Sequence, residues 1–120
     1  MSFTREAGQS GEEQAVQFLI NNGYEIVARN FTACGGELDI VARRKNMLVF
    51  AEVKARASMA FGGPALAVTP AKQRRIVRTA LQYIKVKAPK FDSIRFDVVC
   101  VLPEKIEHIE NAFLAPRTTF

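Results

Sequence analysis

A chain of 120 residues, 48% hydrophobic and 24% charged, is long enough to bury about two-thirds of its unfolded surface and to fold without disulfides or a structural metal. Its 17 Lys+Arg against 12 Asp+Glu leave a net charge of +5, which favours a polyanionic partner, and its ordinary composition excludes a fibrous or disordered chain. Cys34 and Cys100 follow no metal or C-x-x-C spacing and read as reduced thiols. Met1 to Ser10 lacks an apolar leader, and no run approaches the roughly 20 apolar residues of a membrane span, so a cytoplasmic protein without membrane contact is expected.

In chain order, residues 1–9 read as flexible, and Ser10 with Glu13 three residues on forms an S-x-x-E capping box that opens a helix ending at Asn21 or Asn22 before Gly23. Tyr24 to Phe31, Glu37 to Val41 and Leu48 to Lys54 read as three strands of a meander, joined through Cys34-Gly35-Gly36 and the polar turn Arg43 to Asn46. A long connection from Ala55 to Val68, centred on Gly62-Gly63-Pro64, is a candidate substrate clamp. Thr69-Pro70 supplies an N-cap and an N1 proline for a helix reaching about Val86, with the apolar stripe Ile76, Val77, Ala80, Leu81 and Ile84. Ile94 to Leu102 is a buried strand, and Lys105 to Ile109 a short edge strand. The order α-β-β-β-α-β(-β), without G-x-G-x-x-G after the first strand, predicts one α/β domain that is not a Rossmann fold.

The chemistry concentrates on Asp39 and Glu52-Val53-Lys54. If Lys45-Asn46 is a two-residue hairpin loop, Arg44 pairs with Met47 and Asp39 falls opposite Glu52. A four-residue loop also keeps both acids on one face. Facing residues have Cβ atoms roughly 4.5–5.5 Å apart, so two carboxylates there repel unless a cation joins them. On the first helix Glu12 falls among Ala15, Val16, Phe18, Leu19 and Ile20, which marks it either as a third acid of the cluster or as a first-turn complement to the helix dipole. Gln73 heads the second helix's apolar stripe and is either a partly exposed residue or a neutral group orienting Lys54 or a phosphate. Lys72, Arg74, Arg75 and Arg78 form either a rim for a phosphate backbone or a solvated helix face. His108, the single histidine, reads as a surface or partly packed edge-strand residue, and Asp97 as the partner of a base on a neighbouring element.

Gly8-x-x-Gly11-Glu12, Gly35-Gly36-Glu37-Leu38-Asp39, Phe50-Ala51-Glu52-Val53-Lys54-Ala55-Arg56, Phe61-Gly62, Val68-Thr69-Pro70-x-Lys72-Gln73-x-Arg75-Ile76 and Arg95-Phe96-Asp97-Val98-Val99 together resemble the YraN-like family of small bacterial proteins, presumed nucleases similar to archaeal Holliday-junction resolvases. The resemblance implies the PD-(D/E)xK, restriction-endonuclease-like fold, with Asp39, Glu52 and Lys54 as its core and Glu12 as the acid from the first helix. It implies a metal-dependent endonuclease acting on DNA, including branched DNA. Oxygen ligands from Asp39, Glu52, the Val53 carbonyl and Glu12 suit Mg²⁺, with Mn²⁺ as a substitute. Lys54 would orient or deprotonate the attacking water, and beside acids that favour its proton electrostatic positioning is the alternative to base catalysis. Gln73 is kept with the catalytic set, Arg56, Lys72, Arg74, Arg75 and Arg78 with the DNA-binding set, and a two-fold homodimer suits paired cuts. The alternative is a non-catalytic nucleic-acid-binding module in which Lys54 bridges Glu52 and Asp39 for structure.

Overall fold

The computed structural model describes residues 5–56 and 68–115. Its elements are α1 (Arg5–Asn21), β1 (Glu25–Ala33), β2 (Gly36–Arg44), β3 (Met47–Ala55), α2 (Pro70–Lys87), β4 (Ser93–Val101) and β5 (Ile106–Phe113). The strands form one sheet in the order β1-β2-β3-β4-β5. Every neighbouring pair is antiparallel except β3 and β4, which run parallel because α2 carries the chain back between them. Of the expected clamp from Ala55 to Val68, residues 57–67, with the Phe61-Gly62 motif, lie outside the described residues, and Ala55 ends β3.

Alternation along the central strands divides the core. Leu48, Phe50, Phe96 and Val98 pack with Ile76, Val77, Ala80 and Tyr83 of α2. Val49, Ala51, Val99 and Val101 pack with Ala15, Val16 and Leu19 of α1. The helices therefore cover opposite faces of a mixed sheet, and strands buried on both faces carry the near-continuous apolar runs that such a sheet requires. Among the described residues no helix is long and apolar enough to cross a membrane.

α1 begins at Arg5, so it enters the stretch expected to be flexible, and Ser10 is not its N-cap. S-x-x-E spacing also occurs inside helices, and Glu6, Ala7 and Gln9 are good helix formers that carry the helix upstream. Ser10 Oγ instead accepts from Gln14 Nε2 at 3.4 Å, and Glu13 pairs with Arg29 of β1 at 2.7 Å. Gly23 does end α1: its φ is 90°, and Tyr24 N–H reaches back to the Leu19 carbonyl at 3.0 Å.

Thr69 caps α2 as expected, its side chain accepting from Lys72 N–H, and Pro70 follows in the first turn. The buried face includes Thr79 and Tyr83 beyond the expected apolar stripe. Thr79 is fully buried because its hydroxyl donates within reach of the Arg75 carbonyl at 2.9 Å and the Ala33 carbonyl at 3.3 Å. β5 runs four residues past its expected end at Ile109, to Phe113, because its polar residues are held by pairing and by a local change of register opposite Asp97.

Candidate metal centre

Three features bring the acids together. Lys45-Asn46 is a two-residue loop, with Lys45 at a φ of 55° and Arg44 paired with Met47. From there the ladder runs to Ile40 opposite Ala51, and one further step sets Asp39 against Glu52. Pairing of β2 with β3 stops at that point, while β3 continues alongside β4 as far as Ala55 and Val101. The strands thus fork at Asp39. The Val53 N–H, which points toward β2 beyond the last pair, is taken by Asp39 Oδ2 at 2.8 Å.

Simple alternation does not account for this convergence. Leu38 and Val41 both join the core under α2, whereas Ile40 and Ala42 join the core under α1. The side-chain pattern therefore slips by one around Asp39. Opposite it on β1, between the Arg29–Ile40 and Phe31–Leu38 pairs, Asn30 has a φ of 53°, a conformation asparagine tolerates. At this irregular point Glu12 from α1 meets Glu37 and Asp39 from β2, with carboxylate oxygens all within 4.8 Å of one another. Assigned by its hydrogen bonds, the Asn30 amide donates to Glu37 Oε1 at 2.9 Å and Glu12 Oε2 at 3.3 Å. Since α1 starts at Arg5, Glu12 is well past the first turn, and the helix-dipole reading of it does not hold.

Glu52 has different company. Lys72 Nζ lies 2.7 Å and Lys54 Nζ 3.4 Å from its Oε1, and its side chain is 10% exposed. It is outside the close trio of Glu12, Glu37 and Asp39. Burial, then the Glu52 charge beside it, raise the Asp39 pKa to about 7, against the opposing pull of the Val53 N–H. Burial, then Lys72, push Lys54 below the ordinary lysine range, so the expectation that flanking acids would strengthen its hold on a proton is reversed. Burial also acts downward on Lys72, but its bond to Glu52 carries it above the ordinary value.

A cleft of about 640 Å³ opens over this cluster, between the β1–β2 turn and the first turns of α2. Glu37, Asp39 and Glu52 line its floor, with Lys72 and Arg75 on the helix side. Gly36, at its edge, packs closely on α2, where a Cβ would clash with Thr79 Oγ1. The neighbouring Cys34-Gly35 turn has φ values of 54° and 74°, as a tight two-residue hairpin demands.

Of the residues expected at the site, the structure brings Glu12 and Asp39 together and sets Glu52 and Lys54 beside Lys72, with the Val53 N–H on Asp39. Sequence reasoning missed Glu37, whose spacing two residues before Asp39 was a usable signal, and Asn30, which had none. It placed Lys72 in the basic rim, whereas the structure sets it on Glu52. The Gln73 amide nitrogen donates to the Val68 carbonyl at 3.0 Å, because a first-turn side chain meets the chain entering its own helix, and the residue is partly exposed. Of the basic set, Lys72 is bound into the cluster and Arg75 borders the cleft, whereas Arg56, Arg74 and Arg78 are exposed around it. His108 is more than a surface residue. Its Nε2 lies 2.7 Å from Asp97 Oδ2, and its ring packs edge-on to Phe18 and Tyr24.

The donor set is entirely oxygen, from three carboxylates whose oxygens lie within 4.8 Å of one another, and that chemistry fits a hard divalent cation such as Mg²⁺ or Mn²⁺. Relatives share the sequence along almost its whole length. A UPF0102 protein of Thermodesulfovibrio yellowstonii is 44% identical over 108 residues, covering 90% of this chain and 96% of that one. One from Pelobacter propionicus is 48% identical over 116 residues, covering 91% and 83%. In three dimensions the chain is similar to the Holliday junction resolvase Hjc of Archaeoglobus fulgidus, with a TM-score of 0.54 at 16% identity over 91% of this chain and 76% of that one. The fold is therefore restriction-endonuclease-like. Residues 11–101 match the uncharacterised protein family UPF0102, and with relatives of this identity and coverage the chain belongs to that YraN-like family.

Proposed function

We propose that the protein is a metal-dependent endonuclease that hydrolyses DNA phosphodiester bonds, acting on branched DNA. The observation that carries this reading is the Asp39 carboxylate, raised to about 7 between Glu52 and Glu12 at the floor of an open cleft, on a resolvase-like fold. An acid in that state favours a cation, and among the described residues no arginine or lysine makes an ion pair with Asp39, although Lys72 acts on it from a distance. Asp39, Glu52, Glu12 and the Val53 carbonyl are the groups that would hold Mg²⁺ or Mn²⁺, and Glu37 joins them. When bound, such an ion supplies a lowered water pKa and countercharge for the phosphate.

The chain's own residues supply position. Asp39 is fixed by the Val53 N–H, Glu12 and Glu37 are held by Asn30, and Lys72 and Arg75 stand where a phosphate backbone would enter. Lys54, with its ammonium weakened by burial, is placed to hold or move a proton beside Glu52. Arg74, Arg78 and Arg56 extend the basic surface outward, and a two-fold pair of chains suits paired cuts on a junction.

One observation favours the non-catalytic binding module: Glu52 already has two lysine partners. Incubating purified protein with duplex, single-stranded, flap and four-way-junction DNAs, in Mg²⁺, Mn²⁺ or chelator, separates the two. Cleavage that requires metal and prefers the junction supports the enzyme; tight binding without cleavage in any metal supports the module.

A further inference from the structure

We propose that Lys72 is a resident counter-cation of Glu52 which competes with the metal and is released to a substrate phosphate, so that metal and DNA binding are coupled through one side chain. The inference rests on the nuclease reading and adds to it a residue that links the two ligands. Lys54 is the lysine of the E-V-K run, yet Lys72 makes the shorter contact, 2.7 Å against 3.4 Å to the same Oε1. An ammonium on that oxygen and a divalent cation beside it repel each other, so each weakens the other's hold on Glu52.

The helix delivers Lys72 firmly at its base and loosely at its tip. Thr69 Oγ1 accepts from Lys72 N–H at 3.2 Å, and Pro70 fixes the turn. The Lys72 side chain is 32% exposed and borders the cleft beside Arg75, so its ammonium can leave Glu52 for a phosphate entering between them. α2 has no acidic residue in its first turn to retain it. Glu52, by contrast, is buried and stays outside the trio of Glu12, Glu37 and Asp39 while Lys72 holds it. The three acids are assembled, and the fourth is pinned. A phosphate that takes Lys72 frees Glu52 for the metal, and a metal that takes Glu52 frees Lys72 for the phosphate, as reciprocity of coupled binding requires.

The test is a Mn²⁺ titration without DNA, with free ion counted by electron paramagnetic resonance. Lys72→Gln binds Mn²⁺ roughly 5- to 100-fold more tightly than the parent, the usual span of such coupling. Lys54 remains on Glu52 to support the fold. Lys72→Arg keeps a cation on the carboxylate and stays near the parent. Lys85→Gln, which loses the same charge at the far end of α2, also stays near the parent. The proposal is overturned if Lys72→Gln binds no more tightly than the parent, or if Lys85→Gln gains as much. If neither parent nor Lys72→Gln binds Mn²⁺, the metal-site reading falls as well; if both bind equally, it stands and Lys72 alone is reassigned. Fluorescence anisotropy with a labelled duplex reads the other half: loss of Lys72 weakens DNA binding more in Ca²⁺ than in chelator. Equal penalties in the two conditions contradict the exchange.

Discussion

Asp97 and Asp39 are the same residue type on strands of one sheet, and their surroundings are opposite. Asp97, with no solvent exposure, receives Arg95 through two hydrogen bonds of 2.8 Å, His108 at 2.7 Å and the Asn111 N–H at 2.9 Å. Burial acts to raise its pKa, but these partners, His108 foremost, hold it below the ordinary range. Arg95 in turn bonds the Tyr24 hydroxyl, so the network ties β4 to β5 and to the chain leaving α1. Asp39 has one backbone N–H and is surrounded by other acids. A fold able to satisfy one buried carboxylate so fully has left the other short of positive charge, at an open cleft. The first arrangement stabilises the protein; the second costs stability, and a bound cation offsets that cost.

The largest expected effect is on turnover. Glu52→Ala removes a metal-holding carboxylate but leaves the basic surface, so metal-dependent cleavage falls by at least about 10²-fold while DNA affinity in chelator is kept or improved. Gel cleavage and anisotropy on the same preparation check this, and parent-like cleavage by the variant would sink the mechanism. On the other side of the comparison, Asp97→Ala leaves Arg95 and His108 around an empty centre and destabilises the fold by about 3–5 kcal/mol in denaturant melts. A loss within experimental error would mean that the network is ornamental.

Acidity separates the two aspartates by sign. Asp97 has a lowered folded pKa, so its contribution is present above the unfolded value of 3.8 and is lost as pH falls through the lower folded value. Asp39 rises from 3.8 to about 7, so the folded state binds its proton more tightly and, in chelator, stability declines as pH rises from about 4 to about 7. Asp39→Asn flattens that decline and is the more stable protein at pH 8, by on the order of 1–3 kcal/mol. Urea melts across pH 4–8 test it, and an unchanged slope in the variant assigns the decline to other groups. A smaller effect belongs to Lys54→Met. Lys72 still holds Glu52, so the stability loss in chelator is small while cleavage collapses. A loss of several kcal/mol, with no metal-induced stabilisation of the parent, would favour the structural reading.

The element order and the α/β class were legible because apolar periodicity, Gly23, the Thr69-Pro70 cap and the Lys45-Asn46 loop are local signals that agree with the tertiary fold. The two-residue Lys45-Asn46 loop was legible too, and with it the register up to Ile40 opposite Ala51. What escaped was non-local or irregular. The slip of alternation around Asp39, the left-handed Asn30 and the fork of β2 from β3 depend on how strands separate, which no two-residue pattern encodes. Lys72 is some twenty residues from Glu52 in sequence, and only the placement of α2 over the β-sheet brings them together. Ser10-x-x-Glu13 misled because a capping pattern carries no marker distinguishing a helix start from its interior.

The claim that Asp39 is an acid kept short of charge for a cation can be measured directly through the proton it releases. Mn²⁺ titrations by calorimetry at pH 6, in two buffers of different ionisation enthalpy, count that release, because a carboxyl raised to about 7 is mostly protonated there and must give up its proton to bind metal. The parent releases about one proton per ion bound, and Asp39→Asn releases almost none. Metal binding by the parent with no proton released, or no binding at all, would contradict the account.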